Sequence, residues 1–251
     1  MDILLDPKRV TRFFGAIVML LTIAHLAAQF SIFVLGYDNI FGLIHMFSLN
    51  AEENIPSLYS TISLLFCSVL LALIAIGRKR TAGGYALHWA GLSAIFLFLG
   101  MDENLSFHES TTIPLRKSLN TSGVLFYAWI IPYALALLVL FFVYLRFLLD
   151  LKKRTRSLFF LAGFIYVTGA MLFELPGGIY DEAFGRHTPL YALISTIEEL
   201  LEMGGILIFT YALTSYISAE FPQLRIGFSA KEDPDKVEGA LPAGKQNLEP
   251  R

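Results

Sequence analysis

The sequence predicts an all-α, polytopic membrane bundle of six transmembrane helices, and three observations carry that expectation. The chain is 55% hydrophobic and only 16% charged, with a mean hydropathy of +0.61, far more apolar than an ordinary soluble domain. Its apolar residues come in blocks of about 20 or more, the length that crosses roughly 30 Å of hydrocarbon at about 1.5 Å per residue. Basic residues gather at alternate block ends, as they do in a chain that threads a membrane back and forth. The single cysteine, Cys67, lies inside an apolar block, so neither a disulfide framework nor a thiolate metal site is expected. A net charge of -2 gives no sign of a nucleic-acid partner.

Taken in order, the first span is expected over about residues 13–37, after Lys8, Arg9 and Arg12. Its apolar run is too long for the core of a signal peptide, and His25 falls near its middle. A mixed segment then carries His45, Glu52 and Glu53 and closes in Asn54-Ile55-Pro56-Ser57. Proline early in a helix loses no hydrogen bond, so the second span is placed at about 57–77, stopping at Arg78-Lys79-Arg80. The third starts near 85 with His88 and Trp89 and ends in Gly100-Met101-Asp102-Glu103-Asn104-Leu105-Ser106-Phe107-His108-Glu109, followed by a polar stretch over about 110–122. The fourth covers about 124–148 and ends among basic residues. The fifth covers about 158–175, where Pro176-Gly177-Gly178 should stop it and leave a loop through about 180–187. The sixth, about 190–217, contains Glu198-Glu199-Leu200-Leu201-Glu202. Residues 1–220 thus read as one transmembrane domain. Residues 221–251, rich in proline, glycine and charge, read as a disordered cytoplasmic tail.

The basic residues orient the spans. Lys8, Arg9, Arg12, Arg78, Lys79, Arg80, Arg146, Lys152, Lys153, Arg154 and Arg156 fall on one side, and only Arg116, Lys117 and Arg186 on the other. By the positive-inside rule both termini are cytoplasmic. This orientation sends the carboxylates of four separate segments to the opposite, extracytoplasmic half. Charge at the bilayer centre costs a few kcal/mol per residue or more, so such groups mark functional sites by default.

The candidate site is read from these groups. Asp102, Glu109, Glu198, Glu199 and Glu202 are candidate ligands for a divalent ion such as zinc, iron or manganese, with Glu103 beside them, because carboxylates with an imidazole suit those metals. His108 is a ligand or base, and Glu174 a general acid or supporting residue. In an unbroken helix His108 points away from Asp102, so it joins the site only if the helix unwinds near Ser106. HExxH, GxSxG and P-loop patterns are absent, as is Glu-x-x-His. His25 and His88 read as packing residues, and Glu52, Asp181 and Glu182 as solvated loop acids.

The segment Met46 to Ser57, with Leu99-Gly100-Met101-Asp102-Glu103, His108-Glu109 and Glu198-Glu199-x-x-Glu202, resembles a group of uncharacterised bacterial multi-pass membrane proteins. The resemblance implies a bacterial cytoplasmic (inner) membrane. It also implies that Glu53, Asn54 and Pro56 belong with Asp102, Glu103, His108, Glu109 and the late glutamates, which adds Glu53 to the candidate ligands. It implies no activity. The expectation is therefore a membrane protein with a carboxylate and histidine site in its extracytoplasmic half, a metal-dependent enzyme acting on a lipid-like substrate. The alternative is a proton- or cation-binding protein, or an accessory subunit of a membrane complex. Expected partners are membrane lipids, and further copies of the chain or other membrane subunits.

Overall fold

Asp6 opens the first helix by accepting hydrogen bonds from the backbone N–H groups of Lys8 (2.9 Å) and Arg9 (3.4 Å), with Pro7 in the first turn where no N–H is needed. In the computed structural model, residues 6–221 are described, and every regular element among them is helical. Apart from Phe221, the expected tail lies outside them. Helix α1 (Pro7–Phe30) widens into a π-helical turn (Ser31–Leu35) that ends at Gly36 in the left-handed conformation.

A short helix α2 (Leu43–Phe47) leads to Asn54, which caps α3 (Ile55–Arg80). The Asn54 carboxamide oxygen accepts from Ser57 N–H (3.1 Å), while its NH2 group donates to the carbonyls of Ser48 (2.6 Å) and Ala51 (2.7 Å). One side chain thus starts the helix and folds the loop before it. Helix α4 (Ala86–Leu105) returns along α3, with the Ser68 and Ser93 hydroxyls each donating to the other's carbonyl at 2.8 Å. Such reciprocal bonds satisfy both hydroxyls inside an apolar contact.

Helices α5 (Phe107–Leu119), α6 (Ile130–Asp150), α7 (Lys153–Val167), α8 (Glu174–Phe184) and α9 (Pro189–Glu220) complete the described chain. Residues 110–119, expected as part of a polar stretch between spans, are therefore helical. So are residues 174–184, where Pro176-Gly177-Gly178 was expected to end a span. A π-helical segment (Thr168–Phe173) resets the register ahead of Pro176, which then sits in the first turn of α8, where a missing N–H costs nothing. Gly178 serves packing instead: a Cβ there would lie 3.2 Å from Phe126 Cβ.

Among the described residues, four helical stretches are long and apolar enough to cross a membrane: Pro7–Leu35, Ile55–Arg80, Ile130–Asp150 and Lys153–Phe184. These match the first, second, fourth and fifth expected spans. Helix α4 carries the buried Asp102 and the half-buried Glu103, and α9 the half-buried Glu198, Glu199 and Glu202. Against them pack the buried rings: Trp89 on α4 contacts Phe147, Phe159 and Tyr216, and Phe96 stacks on Phe209 of α9 with centroids 4.6 Å apart. Small residues admit close helix contact, as at Gly205 of α9, where a Cβ would meet the Tyr166 backbone of α7 at 2.8 Å. Large apolar side chains such as Leu20, Phe142 and Phe164 face outward, the pattern of a surface in contact with lipid tails.

Candidate functional site

The chemistry-bearing residues meet because α4 breaks. Ser106 adopts φ 50° and ψ 40°, a left-handed conformation that is unfavourable for a residue with a Cβ. The break turns His108 back toward the helix it has just left. Its backbone N–H donates to Asp102 Oδ1 (3.0 Å), and its Nδ1 lies 3.1 Å from Asp102 Oδ2. The condition set by the sequence, unwinding near Ser106, is met.

Glu52 approaches the same imidazole from the loop that Asn54 folds. Its Oε1 lies 3.8 Å from His108 Nε2, and its other oxygen accepts the Ser106 hydroxyl. The side chains Ser106, Glu52, His108 and Asp102 form one polar chain. Burial and the charge of Glu109 raise the Glu52 carboxyl to about 7, with Glu103 and Asp102 adding to the rise and His108 opposing it. Burial by itself would lower the His108 imidazole, but its bond to Asp102 and the charges of Asp102, Glu52 and Glu109 raise it overall. Both groups are thus shifted upward by their surroundings, Glu52 chiefly by burial and His108 by its bond to Asp102 and the neighbouring carboxylates.

These groups line a cavity of about 520 Å³, within the size range of small-molecule sites. Asp102, Glu103, His108, Glu109, Glu174, Glu198, Glu199 and Glu202 all lie on its wall, as expected, together with Glu52, Trp129, Tyr133 and Arg186. The rest of the wall is apolar, built by Ile95, Phe98, Leu137, Leu140 and Met171 from α4, α6 and the π-helical segment. One cavity therefore has an acidic part and a hydrocarbon part.

Glu53 is not on this wall; it is exposed, with φ 55°. Its neighbour Glu52 takes the place that the sequence reading gave to Glu53. No periodicity tells which of two adjacent loop acids turns inward, so this residue was missed, as were Trp129, Tyr133 and Arg186. The expected metal ligands other than Glu53 share the cavity, but among the described residues no three His, Cys, Asp or Glu side chains are grouped to hold a metal ion.

The end of the bundle near Glu109 is tied together by residues expected to be solvated. Asp181 accepts hydrogen bonds from the Tyr127 hydroxyl (2.7 Å) and Arg186 Nε (2.9 Å), and Glu182 accepts from Gly123 N–H (2.6 Å). Arg186 also reaches to 3.8 Å from Glu109. His25 has a structural role, as expected. It is fully buried, accepting from Leu49 N–H at Nδ1 (2.9 Å), so its Nε2 carries the proton and donates to Thr196 (2.8 Å). This pins the loop that bears Glu52 to α9.

No curated protein and no solved structure matches the chain. A family model described as a domain of unknown function, DUF8692, matches residues 13–216, from α1 through nearly all of α9. The match takes in every wall residue named above, and the chain belongs to the DUF8692 family.

Proposed function

We propose that the cavity is the site of a membrane enzyme that acts on a lipid-like amphiphile, with its head among the carboxylates and its chain along the apolar wall. The observation that supports this most directly is the Asp102–His108 pair facing a cavity that is acidic on one side and hydrocarbon on the other. Asp102 holds the Nδ1–H of His108, leaving Nε2 to act as base. In a hydrolytic step, Nε2 takes a proton from water as the water oxygen bonds to the substrate's electrophilic centre. Glu52 or Glu174 returns a proton to the departing group as its bond breaks.

The same reading places the protein in a bacterial cytoplasmic membrane with six spans, α4 and α9 joining the four apolar stretches, and with both termini cytoplasmic. The distribution of lysine and arginine supports this orientation. Reporter fusions after Lys117 and after Arg186 should lie outside the cell, and one after Lys153 inside.

The enzyme reading is tested by holding purified protein in vesicles of bacterial lipid and following the lipids by mass spectrometry, wild type beside His108→Gln. A lipid species converted by wild type alone supports it. No species changing with either protein counts against catalysis and leaves the same carboxylates as a proton- or cation-binding site.

A further inference from the structure

Glu198, Glu199 and Glu202 occupy one turn of α9, and Glu103 faces the same cavity from α4. Glu199 and Glu202 are enclosed by protein and open only toward the cavity. None of these four carboxylates forms a hydrogen bond or an ion pair with any described residue. They are half-buried acceptors that face the cavity without a protein donor, and so are open to a ligand that brings one.

The cationic groups on the described cavity wall are engaged elsewhere, His108 being held by Asp102 at 3.1 Å. Arg186, the arginine on the cavity wall, is committed to Asp181 at 2.9 Å and lies 3.8 Å from Glu109. The missing partner is therefore a donor of positive charge that enters with the ligand. A bare divalent ion would need three grouped ligands, which are not found among the described residues. An ammonium group differs: it carries three N–H donors that diverge toward separate acceptors, and bonds between charged donors and carboxylates are the stronger kind.

The neighbouring wall fixes what the ammonium is attached to. Ile95, Phe98, Leu137, Leu140 and Met171 offer hydrocarbon contact beside the glutamates, and burying an alkyl chain there is favourable by roughly 0.8 kcal/mol per methylene. We infer that the cavity recognises an amphiphile with a primary-ammonium head and an alkyl chain, the head held by Glu199 and Glu202 with Glu103 and Glu198 around it. This rests on the amphiphile reading above and names its head group.

The test is binding to the full-length protein in nanodiscs, followed by calorimetry and by thermal stability, with dodecylamine, dodecanol and dodecyltrimethylammonium as probes. The expected result is that dodecylamine binds at least tenfold more tightly than either of the others, and that E199Q/E202Q brings the amine-to-alcohol ratio close to one. Glutamine keeps the side-chain shape, and the ratio measured on wild type stands even if the variant folds poorly. Equal binding of amine and alcohol overturns the ammonium inference while leaving the amphiphile reading in place. Equal binding of the trimethylated probe, which has no N–H to donate, overturns it too. Binding of none of the three overturns both readings. Stabilisation by Zn²⁺ or Mg²⁺ without any by the amine overturns the inference in favour of a metal ion.

Discussion

His108 Nδ1 lies 3.1 Å from Asp102 Oδ2, and the backbone N–H of His108 donates to the other oxygen of the same carboxylate at 3.0 Å. Two bonds to one carboxylate fix both the position and the tautomer of the ring. Asp102 is therefore the foremost of the groups that raise His108 against the effect of burial, ahead of Glu52 and Glu109. In Asp102→Asn the charge is gone and the shape remains, so His108 should titrate at a lower pH than in wild type. Heteronuclear NMR of the histidine rings measures this. A titration that stays in place would show that the pair is held by packing alone.

Glu52 makes stability depend on pH in a stated direction. Its carboxyl ordinarily titrates at 4.5 and is raised to about 7 in the folded protein, so the folded state binds the proton more tightly than the unfolded chain does. The stabilisation is fully present below about pH 4.5 and is lost as pH rises through about 7. The raised His108 has the same sign, its contribution falling as pH rises through its folded value. The unfolding temperature in detergent should therefore fall between pH 5 and 8, and Glu52→Gln should flatten that slope. A variant slope as steep as wild type would assign the pH dependence to other groups.

His25 is remote from the chemistry yet supports it. Replacing it with leucine leaves the buried N–H of Leu49 without an acceptor, a loss of about 1–3 kcal/mol. Thr196 retains a partner in the carbonyl of Ala192 at 2.5 Å, so the loss centres on the loop that carries Glu52. His25→Leu should lower the stability by that amount and speed amide exchange over residues 48–54. Unchanged exchange in that loop would mean that Asn54 alone holds it.

Much of this was legible in the sequence because long apolar runs restrict the choices. Apolar length placed four of the helices, and charge inside apolar runs picked out Asp102, Glu103, His108, Glu174 and the α9 glutamates, all of which reach the cavity. The rest depended on backbone detail without a local signal. Pro176-Gly177-Gly178 reads as a stop, yet a π-helical segment upstream lets the helix continue. Glu52 and Glu53 are chemically identical neighbours, and only the loop folded by Asn54 turns one inward. The break at Ser106 was recognisable as a requirement for His108 to join the site, while the direction of the turn that brings it to Asp102 has no local signal in the sequence.

Gly204 and Gly205 are adjacent in α9 and should respond oppositely to the same substitution. A Cβ on Gly205 would lie 2.8 Å from both the backbone nitrogen and the Cβ of Tyr166. Backbone cannot swing aside, so α7 and α9 must separate, and overpacking of this kind costs about 1–3 kcal/mol. A Cβ on Gly204 meets nothing within 4 Å, and alanine there removes the entropic penalty of glycine in a helix, worth roughly 0.5–1 kcal/mol. Gly205→Ala should therefore destabilise the protein and Gly204→Ala stabilise it slightly, as read from unfolding in mixed detergent. Separation of α7 from α9 also displaces Glu202, since a Cβ on Gly169 of the π-helical segment would already lie 3.0 Å from Glu202 Cγ. Gly205→Ala should thus weaken ligand binding in the cavity while Gly204→Ala leaves it unchanged; the same response from both variants would show that helix propensity, and not this close contact, governs the position.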